Sequence, residues 1–202
     1  MRQIGSVRCG QGGIAAGLAV LLVGALLASG AYADTCVRTT QAVGKSPDGR
    51  FVVTAAWLAS STKPRAGHWM FVWQDTETKA TVSGKLQGIE EHAHPSVLVT
   101  PDGQRFAVFD PSAGHRRTDR LLVYGRDGKL VRSFGLADLL KPGERVESSK
   151  SHLLWLGYDA EKKRSWWLEK DRTTLSLLTK AGRLVHVSLT DAKVLRQAAG
   201  KP

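Results

Sequence analysis

Acidic residues, cysteine and the short signatures of known catalysts are all scarce in this chain. There are 18 Asp and Glu against 29 Lys and Arg, a formal charge of +11 with His neutral. Such a balance disfavours cationic partners and draws the protein toward anionic surfaces. Cysteine occurs twice, at Cys9 and Cys36. No G-x-S-x-G elbow, P-loop, G-x-G-x-x-G fingerprint or H-E-x-x-H helix is present, so the commonest hydrolase, nucleotide and zinc-protease signatures are excluded. Charge itself is missing from one stretch: no charged residue stands between Arg8 and Asp34.

That uncharged stretch contains the one long apolar run, Ile14 to Ala28, with Arg2 and Arg8 before it and Ala31-Tyr32-Ala33 after it. A positive start, an apolar middle and small residues at the cut form the layout of a cleaved export signal. Residues 1–33 are therefore expected to be a signal peptide. Residues 34–202 form one β-rich domain, and the destination is the periplasm or the extracellular space. An uncleaved anchor is the alternative. It would need about 20 apolar residues, and reaches that only by including Gln11, several Gly and Tyr32. Residues 1–33 carry two Arg and no acid, so the remainder has a formal charge of +9. It keeps only Cys36, which excludes an internal disulfide and leaves stability to the core.

The remainder reads as short β-rich runs. Phe51–Leu58, Trp69–Trp73, Val97–Thr100, Arg105–Phe109, Leu121–Tyr124, Lys129–Phe134, Leu153–Leu156, Ser165–Leu168, Leu175–Thr179 and Leu184–Leu189 fit strands. Asp-Gly pairs at residues 48–49, 102–103 and 127–128 separate several of them, as tight turns require. Gly135–Leu140 reads as a single helical turn, and the chain after Leu189 as either a helix or one more hairpin. The expected interior includes Phe51, Val53, Trp57, Phe71, Trp73, Val97, Val99, Phe106, Val108, Leu122, Tyr124, Val131, Phe134, Leu154, Leu156, Trp167, Leu175, Leu177, Leu184 and Val187.

Two segments repeat. Ser46-Pro47-Asp48-Gly49-Arg50-Phe51 returns as Thr100-Pro101-Asp102-Gly103-Gln104-Arg105-Phe106 with one inserted residue, 54 positions later. A worn third copy is placed at Gly157 to Trp167. Strand, [ST]-P-D-G turn, strand and a polar hairpin resemble the blade repeat of β-propellers of the WD40 and TolB kinds. The resemblance spans about residues 44–189. It implies an all-β, propeller-like antiparallel repeat domain that binds partners through loops at one end. Three repeats are fewer than such rings usually hold, so an incomplete propeller, an irregular barrel and a sandwich stay open.

Two constellations carry chemistry. His92 and His94 would share one face of a strand, half of a transition-metal site that the carboxylates of Glu90 and Glu91 could complete. The loop from Asp110 to Arg120 offers Asp110, Ser112, His115, Arg116, Arg117 and Arg120, and its Arg forks suit carboxylate or phosphate. Ser112, His115 and a neighbouring Asp are triad residue types, but a triad is a geometry that neighbours in one loop rarely reach, so no catalytic residue is assigned. Trp166-Trp167 would point to opposite faces of a strand, one of them as a sugar or partner platform or covered by neighbours. The leading expectation is a non-enzymatic, exported binding protein for a partner protein or an anionic envelope component. A metal-assisted hydrolase built on His92 and His94 with His115 or His152 is the second. A structural domain of an envelope assembly is the third. Nucleic acid is not expected, because Lys and Arg are spread along the chain and no binding motif occurs. Membrane contact is expected only through the signal or peripherally.

Overall fold

Three antiparallel four-stranded sheets, each a simple meander, make up most of the fold. The computed structural model describes residues 41–59, 67–89, 95–111, 119–144, 146–148 and 153–195. These belong to one unit, Arg38–Pro202. Sheet I contains β1 (Gln41–Lys45), β2 (Phe51–Ala59), β3 (Gly67–Asp75) and β4 (Thr81–Lys85) in that order. Sheet II contains β5 (Ser96–Val99), β6 (Arg105–Phe109), β7 (Asp119–Gly125) and β8 (Leu130–Gly135). One helical turn, α1 (Leu136–Leu139), and a two-stranded pair, β9 (Glu147–Ser148) and β10 (Leu153–Leu154), precede sheet III. Sheet III contains β11 (Trp166–Leu168), β12 (Thr174–Leu178), β13 (Leu184–Ser188) and β14 (Lys193–Val194). Residues 189–195 thus belong to a hairpin rather than a helix. Among the described residues no helix is long and apolar enough to cross a membrane.

Sheet II is the middle layer, buried on both faces. Val97, Val99, Phe106, Val108, Leu122 and Tyr124 meet Phe51, Val53, Trp69, Phe71 and Trp73 of sheet I. The intervening residues Leu98, Ala107, Phe109, Leu121 and Val123 meet Leu175, Leu177, Val185 and Val187 of sheet III. Side chains alternate across a strand, so a sheet covered on both faces needs unbroken apolar runs. Phe106-Ala107-Val108-Phe109 and Leu121-Leu122-Val123-Tyr124 are such runs. Sheet I behaves differently: along β3, Trp69, Phe71, Trp73 and Asp75 are buried while His68, Met70, Val72 and Gln74 are half-buried. The aromatic contacts continue across the first interface. Phe71 lies 5.5 Å from Phe106, and Phe106 stacks on Tyr124 at 5.2 Å.

Most of the expected interior positions are buried. Val131 is not: it is 46% exposed. Register passes from Val123 opposite Arg132 to Tyr124 opposite Leu130, leaving Val131 unpaired in a bulge. A bulge re-aims the extra residue's side chain. Trp57, Leu156 and Leu184 are only half-buried. The side chain of Leu154 lies outside the described residues.

The turn between the first two strands of each sheet shows the repeat most directly. In sheet I, the Ser46 hydroxyl donates to Asp48 Oδ1 (2.5 Å) and accepts the Phe51 N–H (2.9 Å). Asp48 also accepts the Arg50 N–H, and Gly49 takes φ +74°. In sheet II, Thr100 donates to Asp102 Oδ1 (2.6 Å) and accepts the Arg105 N–H (3.1 Å). Asp102 accepts the Gln104 N–H, and Gly103 takes φ +64°.

The third copy of this turn is not at Gly157 to Trp167. It is Glu169-Lys170-Asp171-Arg172-Thr173-Thr174, between β11 and β12. The Glu169 N–H bonds Thr174 O as Ser46 does Phe51 O and Thr100 does Arg105 O; the Arg172 N–H bonds Glu169 O as Gly49 does Ser46 O and Gly103 does Thr100 O. Leu189 N–H donates to Thr173 O, matching Thr76 to Arg50 O and Arg126 to Gln104 O. Asp171 is the only sequence feature kept. Arg172 occupies the glycine position at φ +57°. Gly157 to Trp167 is instead a hairpin leading into β11.

Candidate functional site

The hairpin before β11 turns on Asp159, whose N–H and C=O both pair with Arg164. Asp159 Oδ1 also accepts the Lys162 N–H at 2.8 Å. Lys163 at the tip takes φ +53°, a conformation that costs about 1–2 kcal/mol for a residue with a Cβ. The hairpin holds Lys162, Lys163 and Arg164 on one side of an open cleft of about 820 Å³. Arg172, from the third turn, lines it too. The other walls are apolar: Leu98, Pro111, Trp155, Leu156, Trp166 and Leu168.

Aromatic packing fixes the cleft's inner wall. Phe109, fully buried at the end of β6, meets Trp155 edge-to-face at 6.3 Å and Trp166 edge-to-face at 5.4 Å. The Lys180 N–H donates to Trp155 O, and Leu156 bridges Thr179, so Trp155 is tied to sheet III by backbone. Trp155 is fully buried, yet its indole Nε1 has no hydrogen-bond partner among the described residues. A buried N–H left unpaired costs about 1–3 kcal/mol, so such groups call for an explanation.

The charges at the cleft are one-sided. Lys162, Lys163, Arg164 and Arg172 are exposed, and no carboxylate is among the described residues that line it. Nor does any of the four form an ion pair among the described residues. Lys162 Nζ sits 3.5 Å from the Trp167 ring centroid, a cation–π contact. Nearby carboxylates are committed elsewhere. Asp171 accepts the Thr173 and Thr174 N–H groups and the Thr174 hydroxyl. Glu169 accepts the Trp167 indole N–H (2.8 Å) and the Ser176 hydroxyl (2.5 Å). The Ser176 bond, then the Trp167 bond and the charges of Lys162 and His186, hold the Glu169 carboxyl below its ordinary range against the opposing effect of burial.

Glu169, Ser176 and His186 are triad residue types in the wrong order. Ser176 Oγ lies 2.7 Å from His186 Nδ1, but the acid bonds the serine and not the histidine. The single Ser176 hydrogen goes to Glu169, so Nδ1 must carry a proton and donate it. A histidine that donates to the serine is not its base, and Ser176 is fully buried. This network braces the outer face of sheet III.

Of the residues singled out from the sequence, Asp110 and Arg120 are 3% and 1% exposed at the root of the β6–β7 connection. The Asp110 N–H donates to Arg120 O at 3.0 Å, and Arg120 is the extra residue of a bulge facing Gly135 and Phe134. Pro111, next in that loop, reaches the cleft. Ser112, His115, Arg116 and Arg117 lie outside the described residues, as do His92, His94 and His152. Among the described residues no three His, Cys, Asp or Glu side chains group as a metal site. Trp166 and Trp167 do face opposite ways, but neither is a free platform: Trp166 packs on Phe109 and Lys162 covers Trp167. The sequence signal for the cleft is the run Lys162-Lys163-Arg164 two residues before the Trp pair.

No protein-family model matches the chain, and no curated protein matches it in sequence. Among solved structures, the complex of KlAtg21 with the coiled-coil of AgAtg16 is similar at 15% identity and a TM-score of 0.43, over 77% of this chain and 42% of that one. That likeness is too slight to bear on function. The chain is an all-β protein of three small antiparallel four-stranded sheets, a form compatible with a β-repeat fold.

Proposed function

We propose that this chain is an exported, propeller-like β-repeat protein that binds an anionic component of the cell envelope in the cleft of its third repeat. One observation carries the reading: four cations that form no ion pair among the described residues line a cleft whose inner wall is aromatic. Lys and Arg so placed are poised for carboxylate or phosphate. The overall positive charge draws such ligands in from a distance. The three matching meanders support the blade-like reading, and the apolar run after Arg8 supports export. No enzymatic role is proposed, since the one serine–histidine contact among the described residues is buried and reversed.

The test is binding of a panel of anions, namely inorganic polyphosphate, polygalacturonate and a short-chain lysophosphatidate, followed by tryptophan fluorescence. At least one should bind saturably, weaken as salt rises, and weaken about tenfold in a Lys163→Gln/Arg172→Gln variant, as expected when charge-assisted contacts are lost. Binding unaffected by salt and by these substitutions would refute the cleft as the site.

A further inference from the structure

Resting on that reading, the geometry points to a particular class of anion: an acylated phosphate amphiphile, bound one molecule at a time. Three features of the cleft argue for it together. Among the described residues, the charged side chains on its outer side are all cations, and its inner walls are Leu98, Trp155, Leu156, Trp166 and Leu168. A ligand that fits both parts has an anionic head and an apolar body. A wholly hydrophilic polyanion would leave the apolar walls unused.

The third feature is the unpaired indole N–H of Trp155. Among the described residues nothing accepts it, so a ligand seated against this wall can supply an acceptor once the buried ring shifts to meet it. An ester carbonyl between the head and the acyl chain is such an acceptor. The polar side chains of the cleft, Lys162, Lys163, Arg164, Arg172, Ser165 and the Trp155 indole, supply donors, and no side-chain carboxylate or amide is among the described residues that line it. Phosphate and ester oxygens only accept. Sugar hydroxyls and peptide N–H groups also donate, and here they would find few acceptors. The head is therefore assigned to the Lys163, Arg164 and Arg172 side, and the acyl chain to the wall of Trp155, Leu156 and Leu168.

The experiment uses the full chain with decanoyl lysophosphatidate below its aggregation concentration, and its ether analogue, which keeps the phosphate and the chain but lacks the carbonyl. The ester should bind one to one by calorimetry, at least about tenfold more tightly than inorganic phosphate, because the apolar body contributes. Trp155→Phe keeps a ring in the wall but removes the donor together with part of the buried volume, and the lost volume acts on both lipids alike. It should therefore weaken the ester about three- to tenfold more than the ether, the difference expected of one neutral hydrogen bond. A second variant, Leu156→Gln, changes the wall without touching the indole and should weaken both lipids alike. Equal loss of ester and ether in Trp155→Phe overturns the carbonyl contact. Saturable binding of polyphosphate or polygalacturonate with none of either lipid overturns the amphiphile while leaving the anionic cleft standing. No binding of any anion overturns both.

Discussion

The first two sheets and the third solve the same turn in opposite ways. In Ser46–Phe51 and Thr100–Arg105 a short hydroxyl closes the turn, and glycine takes the left-handed position. Gly103 is also pressed against sheet I. A Cβ there would lie 2.4 Å from the Phe51 ring, and its carbonyl accepts the Trp73 indole N–H. In Glu169–Thr174 the first position holds Glu169 in place of Ser46 or Thr100, so Asp171 takes the Thr174 N–H that those hydroxyls capture in the other two. Glu169 is thereby released to brace Trp167 and Ser176. Arg172 replaces glycine and projects into the cleft. The first two turns are tuned for packing. The third accepts backbone strain and places a cation beside the aromatic wall. Strained positions concentrate where function needs them.

This contrast can be broken by substitution, starting with the largest effect. Gly103→Ala must meet both a left-handed φ and the Phe51 ring, so it should destabilise by about 3 kcal/mol in denaturant unfolding. Gly49→Ala meets the φ alone, with nothing near its Cβ, and should cost only about 1 kcal/mol. Equal costs would mean that Gly103 does not mediate sheet packing. Glu169→Ala strips a charged acceptor from Ser176 and Trp167 at once. It should cost about 2 kcal/mol and shift the near-ultraviolet circular dichroism of Trp167. Arg172→Gly runs the other way: relief of the left-handed strain should leave the protein unchanged or up to about 1 kcal/mol more stable.

The smallest effect is with pH and belongs to sheet I. Arg50 bonds Asp75, with Nη2–Oδ2 at 3.0 Å, and with the Glu77 and Thr78 N–H groups holds that carboxyl at about 2, against the opposing effect of burial. An unfolded Asp titrates near 3.9, so this contribution is fully present above about pH 4 and is lost as pH falls toward 2. Asp75→Asn should flatten the acid limb of stability in that window. An unchanged limb would remove Asp75 as a contributor.

Ten of the fourteen described strands are legible in the sequence, because each lies in a run rich in apolar residues. Of the others, β1, β4 and β9 are edge strands or members of a two-residue pair, and β14, also an edge strand, is legible only as one of two readings. Thr81–Lys85 alternates exposed and half-buried residues and has no run to betray it. The third turn is invisible for a related reason: of the Ser/Thr, Pro, Asp and Gly that mark the first two, Glu169-Lys170-Asp171-Arg172 keeps only Asp171. The interior was underestimated in sheet II, where reading one apolar face per strand omits Leu98, Ala107, Phe109, Leu121 and Val123. Burial on both faces is a property of the stack and not of any one strand. The cleft was half visible, as a Trp pair after a basic run. Its other walls, Leu98 and Pro111 from sheet II and Trp155, come together only through the fold.

Arg172→Gly gives the most direct test, because it separates the ligand from the scaffold. Thermal unfolding and affinity for the tightest-binding anion of the panel should be measured on the same preparation. The account predicts a midpoint equal to or above that of the natural chain, with affinity lower by about threefold. A variant that is less stable and binds as tightly as before would contradict it, since Arg172 would then serve the fold and not the ligand.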